Sequence, residues 1–160
     1  MPVSAAGHAH MQVRPARRDE SSALLALWER SVRATHTFLT EEDITCYRPL
    51  VAEFLAGDGL ELFVLADRAD VPLGFIALAG NNIEALFLEP GQRRRGGGRR
   101  LVAHAQELRA GVLTVDVNEQ NAEARAFYRA LGFEVVRISP LDGTGRPYPL
   151  LHMRREAPAS

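Results

Sequence analysis

Nine consecutive residues, Gln92-Arg93-Arg94-Arg95-Gly96-Gly97-Gly98-Arg99-Arg100, carry the clearest chemistry in this 160-residue chain. They follow an apolar run with strand character, Ile83 to Leu88, and precede a helical pattern beginning near Leu101. A glycine loop between a strand and a helix lets backbone N–H groups converge on an anion, and the helix N-terminus adds partial positive charge at the same spot. Five arginines between Arg93 and Arg100 strengthen the field. The loop is read as a site for a phosphate-bearing ligand.

Other reactive residue types are scarce. All 19 basic residues are arginine, so no internal ε-amine can accept an acyl group or form a Schiff base. Cys46 is the only cysteine, which excludes an intramolecular disulfide and a cysteine-cluster metal site. His8 and His10 read as part of a disordered leader, residues 1–10, rather than as metal ligands. That leader is small and polar, without the charged-then-apolar plan of a signal peptide. A net charge of −1 makes the arginine loop a local patch, against a general nucleic-acid binder. No apolar run approaches the ~18–20 residues needed to cross a membrane. The expectation is a cytoplasmic protein with no metal and with neither nucleic acid nor membrane as partner.

The elements that must position the loop follow from periodicity. At this length one domain, residues 11–156, can bury a real core. Met11 to Arg14 reads as a first strand. Asp19 is expected to cap a helix on which Ala23, Leu24, Leu27, Trp28 and Val32 recur at helical spacing. Ser31 to Leu39 breaks that period and holds Thr35, His36, Thr37 and Phe38. Thr40 opens a second helix with Glu41, Glu42 and Asp43 in its first turn, and Pro49 is expected to kink or divide it. Leu60 to Ala66, Leu73 to Ala79 and Ile83 to Leu88 read as a three-strand meander. After the loop and its helix come a strand from Val112 to Val117 and a helix marked by Ala124, Phe127, Tyr128 and Leu131. Strands at Phe133 to Ile138 and Leu150 to Met153 close the chain. The fold class is α/β: one central mixed sheet with helices on both faces.

Two segments in this order resemble a known family. Arg93-Arg94-Arg95-Gly96-Gly97-Gly98 fits the Q/R-x-x-G-x-G/A signature of the GCN5-related N-acetyltransferases (GNAT), with Arg93, Gly96 and Gly98 in the diagnostic places. Asn121-x-x-Ala124-x-x-Phe127-Tyr128-x-x-x-Gly132-Phe133 resembles the family's second conserved segment. Ser31 to Leu39, Asp116 to Asn121 and Gly145 to Leu151 look closer still to the small bacterial YjaB-like subgroup. One departure is Arg94, where the family commonly has glycine.

The resemblance implies a single-domain GNAT fold: a mostly antiparallel sheet with one splayed parallel strand pair for the cofactor. It implies acetyl-CoA as acetyl donor, its pyrophosphate held by backbone amides from Arg94 to Arg99, with Arg93, Arg95 and Arg99 able to pair with phosphates. Gly96 and Gly98 are then expected to be small because a Cβ would push the phosphate off the loop. The backbone of Phe87 and Leu88 would bond the pantetheine arm and thioester, and Asn121 would bond the arm while capping its helix. Tyr128 resembles the family tyrosine that protonates the leaving thiolate.

The base stays open. Glu84 lies two residues before Leu86 and four before Leu88, so all three are expected on one strand face. The family often carries an acidic residue on this strand. His36 is the runner-up, and solvent is the third candidate. Thr35, His36, Phe38 and Tyr148 are expected to line the acceptor pocket, and His152 to be a hydrogen-bonded core residue. The implied reaction is direct acetyl transfer to a primary amine, on a small molecule or a peptide, in a ternary complex. The alternative is a CoA-binding sensor with little catalysis. A homodimer is left open by the family's habits.

Overall fold

The structure, a computed structural model, describes residues 11–92 and 95–157. The leader and the expected cofactor contacts Arg93 and Arg94 lie outside the described residues. In chain order the elements are β1 (Gln12–Pro15), a 3₁₀ turn (Arg18–Glu20), α1 (Ser21–Thr35), α2 (Glu41–Ala56), β2 (Glu61–Ala66), β3 (Pro72–Ala79) and β4 (Asn82–Leu88). A second 3₁₀ turn (Pro90–Gln92) leads to α3 (Gly97–Leu108), β5 (Leu113–Asn118), α4 (Ala122–Ala130), β6 (Glu134–Ser139) and β7 (Leu150–Arg155). The seven strands form one sheet in the order β1-β2-β3-β4-β5-β7-β6. Only β4 and β5 pair in parallel, so the sheet is mixed and mostly antiparallel, as expected.

Helices cover the sheet from both faces. On one, α1 and α2 bury Leu24, Leu27, Trp28, Val32, Ile44 and Leu55 against Val64, Phe75, Ala77 and Ala85 of β2 to β4. On the other, Leu101, Val102 and Ala105 of α3 and Tyr128 of α4 pack on Leu65, Ile76, Ile83, Val115 and Met153. Each fully buried apolar side chain stabilises the fold by about 1.5–3 kcal/mol, before the cost of ordering the chain.

Several boundaries correct the sequence reading. The 3₁₀ turn occupies Asp19, so α1 starts at Ser21; Glu20 binds the Arg17 N–H (2.8 Å) and pairs with Arg14 instead of capping α1. α1 also runs on to Thr35, because Ser31 and Val32 are buried and continue its inner face. Pro49 lies inside an undivided α2, whose Ile44, Val51 and Leu55 face the core on both sides of it. α3 begins at Gly97 rather than near Leu101.

The most consequential correction concerns β4. Ala77 opposes Ala85, but Leu78 opposes Ile83, so Glu84 is the extra residue of a β-bulge. The bulge reverses the alternation: Ile83 packs with the α3–α4 core, Ala85 with the α1–α2 core, and Leu86 again with α3–α4. Glu84 therefore does not continue the face of Leu86 and Leu88. It is exposed, accepts a hydrogen bond from Asn82, and borders a separate hollow with Phe54, Gly59 and Leu60.

The loop between β6 and β7 is folded onto the start of α2. Thr40 and Asp43 form a capping box there, with the Asp43 N–H on Thr40 Oγ1 (3.1 Å) and the Thr40 N–H on Asp43 Oδ2 (3.0 Å). The Asp43 side chain, 6% exposed, also takes Arg146 at 2.7 Å and the Tyr148 hydroxyl. The Tyr148 hydroxyl first, then the Thr40 N–H, hold its carboxyl below the usual carboxylate range. A depressed carboxylate adds stability above its unfolded pKa and loses it as pH falls through the folded value. Asp43→Asn should therefore cost about 1–2 kcal/mol in urea unfolding at pH 7. The gap from wild type should close below about pH 4.

Candidate active site

The site is a gap in the sheet. β4 and β5 share only two pairs, Asn82 with Thr114 and Ile83 with Val115, and then separate. On its other side β4 stays paired to β3 as far as Gly74–Leu88. The Glu89 N–H bonds Leu73 O (2.8 Å), which makes 73/89 a hydrogen-bonded antiparallel pair. Such pairs alternate, so Phe87 turns its N–H and C=O toward β3, while those of Leu86 and Leu88 face the gap. The sequence reading named Phe87 and Leu88 for backbone contacts; the register leaves the groups of Leu86 and Leu88 open and pairs those of Phe87 with β3. The signal that could have found this was the two-residue period counted from β3, which the bulge hides.

A cleft of about 780 Å³ opens at this gap. Leu86, Phe87 and Leu88 line it from β4, Gly96 to Arg99 from the start of α3, and Asn121 to Ala124 with Ala126 to Tyr128 from α4 and its cap. Ser31, Thr35 and His36 reach it from the end of α1. Arg95 is exposed on the same loop. Helix geometry supplies no partner inside α3 for the N–H groups of Gly97, Gly98 and Arg99. Gly96 takes a left-handed conformation (φ 84°) to start the helix, and a Cβ on it would meet nothing within 4 Å. A Cβ on Gly98 would lie 3.1–3.2 Å from the Phe127 ring. These glycines are thus required by the turn and by helix–helix approach, a protein-side reason distinct from the expected clash with a phosphate. First-turn amides beside open strand groups suit a pyrophosphate with an amide-bearing arm.

Tyr128 is 5% exposed and lines the cleft, its ring edge-on to Phe127 (5.0 Å) and Phe133 (5.2 Å). Burial pushes its phenol pKa up, so it keeps its proton at neutral pH. Asn121 caps α4, its Oδ1 accepting the Ala124 N–H (3.1 Å), and its Nδ2 lies 3.4 Å from His36 Nε2. His36, Phe38 and Tyr148 form a row of rings 5.5 Å apart, with Phe87 6.3 Å from His36. Phe38 and Tyr148 are not among the lining residues; they adjoin the cleft through His36. Glu84 is not among the lining residues.

His152 is hydrogen-bonded as expected, but not in a core. On the sheet face opposite Leu151 and Met153, its ring nitrogens meet Asp116 (2.5 Å) and Ser139 (2.6 Å). Among the described residues, no group of three or more His, Cys, Asp or Glu side chains could hold a metal. Nor is any helix long and apolar enough to cross a membrane.

Comparison with known proteins agrees with this geometry. The acetyltransferase (GNAT) domain profile matches residues 58–135. The peptidyl-lysine N-acetyltransferase YjaB of Salmonella typhimurium is 42% identical over 143 residues, covering 89% of this chain and 97% of that protein. The chain belongs to the GNAT acetyltransferase family. It is an acetyl-CoA-dependent N-acetyltransferase. The solution structure of apo YjaB from Escherichia coli superposes with a TM-score of 0.83 at 41% identity, over 94% of this chain and 99% of that one. A PaiA N-acetyltransferase from Thermoplasma acidophilum, solved with coenzyme A, shares the fold at 19% identity and a TM-score of 0.77, over 91% and 98% of the two chains.

The left-handed turn at Gly96 sets a test. Gly96→Val should cost about 1–2 kcal/mol and Gly96→Asn less, since asparagine tolerates that conformation. Gly143→Ala, where nothing lies within 4 Å, should be neutral. Thermal unfolding reads the order.

Proposed function

We propose that this enzyme acetylates the ε-amine of lysine in a peptide or protein. The observation that carries the reading is the aromatic row of Phe38 and Tyr148 that continues from His36, which lines the cleft. A lysine side chain is a flexible apolar stem with a polar tip, and such stems lie well along apolar and aromatic surfaces. The charged groups beside this row are already committed: Asp43 to Arg146 and Tyr148, and Asp142 to Tyr47. They leave little to fix the several charges of a polyamine. The peptidyl-lysine activity named for the YjaB relative supports the same acceptor.

In this reading the α3 amides, with Arg95 and Arg99, hold the pyrophosphate. The open groups of Leu86 and Leu88 bond the pantetheine arm and polarise the thioester, and Asn121 bonds the arm. The amine attacks the thioester carbon, and Tyr128 gives its proton to the departing thiolate. Glu84 has no part in the chemistry, because the bulge turns it away from the cleft; the amine gives up its proton to solvent. A cytoplasmic location suits these substrates.

Incubation with acetyl-CoA and a lysine-containing peptide should release CoA and add one acetyl group to the lysine by mass spectrometry. Acetylation of small amines alone, with no lysine peptide modified, would sink the proposed acceptor. Tyr128→Phe should lower kcat by roughly a hundredfold while the acetyl-CoA Kd stays nearly unchanged. An unaltered rate at every pH would remove the acid role.

A further inference from the structure

We propose that His36 is the residue that positions the acceptor amine, held as the Nδ1–H tautomer so that its Nε2 lone pair receives an amine N–H. This rests on the lysine reading above and adds to it a single atom that aims the nucleophile.

The tautomer follows from a chain of hydrogen bonds with one consistent solution. Thr35 Oγ1 lies 2.8 Å from the Ser31 carbonyl oxygen. Two oxygens at that distance need a hydrogen between them, and a carbonyl has none, so the Thr35 hydroxyl donates to Ser31. Its oxygen is then left to accept from His36 Nδ1, 2.8 Å away, so the imidazole hydrogen sits on Nδ1. From the other side, Asn121 Oδ1 accepts the Ala124 N–H, which fixes the amide and turns its Nδ2 toward His36 Nε2. Both ends of the ring agree: Nε2 is an acceptor, and it faces Asn121, which lines the cleft together with His36.

The Asn121 contact at 3.4 Å is long for a hydrogen bond, and an amine N–H at closer range would outcompete it. Phe38 and Phe87 flank the ring at 5.5 and 6.3 Å and limit its rotation. Burial holds the His36 pKa down at about 4, so the imidazole remains an acceptor through the neutral range. The charged side chains on the same cleft are Arg99 of α3 and Glu123 of α4. Those on α1 and α2 nearby are paired among themselves, Arg33 with Glu29 and Glu41, and Arg30 with Glu89 beyond β4. An amine held through its hydrogen keeps its own lone pair free to turn to the thioester carbon.

Long-range ¹H–¹⁵N NMR of the ¹⁵N-histidine-labelled full chain at pH 7 should show His36 with its hydrogen on Nδ1. In Thr35→Val the Nε2–H form should gain population, and the KM for a lysine peptide should rise about tenfold with the acetyl-CoA Kd unchanged. His36→Gln places an amide oxygen near the Nε2 position and should keep KM within about threefold of wild type, whereas His36→Leu should raise it about tenfold or more. A wild-type Nε2–H tautomer, or equal KM for the Gln and Leu variants, would overturn the proposal. Wild-type inactivity on lysine peptides would instead overturn the proposed acceptor, and this role with it. The tautomer would still be decided by the spectrum.

Discussion

Hydrogen bonding between β4 and β5 stops after two residue pairs, and the site is what that interruption leaves behind. A buried backbone amide without a partner costs about 1–3 kcal/mol, so a sheet does not leave such groups open inside without water or ligand to meet them. β3 keeps β4 straight on one side, which prevents the strand from drifting back across the gap. The start of α3 stands at the mouth of the opening with its first-turn amides. Strand edge and helix end therefore present one continuous line of donors and acceptors. An extended ligand with phosphate at one end and amides along its length is the chemical complement of that line.

The two helical layers, on opposite faces of the sheet, meet where the sheet is open. His36 at the end of α1 and Asn121 at the start of α4 come from opposite faces and touch across the gap. Each is fixed by its own helix: Asn121 by the cap it forms, His36 by Thr35 and through it by Ser31. Cofactor side and acceptor side are thereby joined by rigid elements rather than by loops. The outer wall, the β6–β7 loop, gains comparable order from the buried carboxylate of Asp43.

Much of this was legible in the sequence. Strand and helix order followed from the apolar period, and the glycine–arginine loop marked the turn from β4 into α3, because both are local patterns of a few residues. Thr35, Asn121 and Tyr128 line the cleft from helices or a helix cap, and His36 from the residue after α1, whereas Phe38 and Tyr148 lie in connecting segments and reach it only through their ring contacts with His36 and with each other. What stayed hidden depends on pairing between distant segments. The Glu84 bulge is visible only once β3 is laid against β4. Asp43 looked like one more acidic residue in a first helical turn, and its contact with Tyr148, 105 positions away, has no local signature. Gly98 was rightly marked as small, but its neighbour is Phe127 of another helix.

The bulge sets the phase of β4. A strand is a two-beat sequence, and one added residue shifts every later beat; here it shifts the four residues that run along the open gap, Ala85 to Leu88. Glu84 is the uncounted beat: with it left out, Ile83, Ala85, Leu86, Phe87 and Leu88 alternate regularly against β3. The sequence therefore counts one residue more than the ladder does, and a face assigned by counting through Glu84 comes out inverted. Deletion of that one exposed residue would bring Ile83 next to Ala85 in a regular ladder, with Phe87 still turned toward β3 and Leu86 and Leu88 still turned toward the gap.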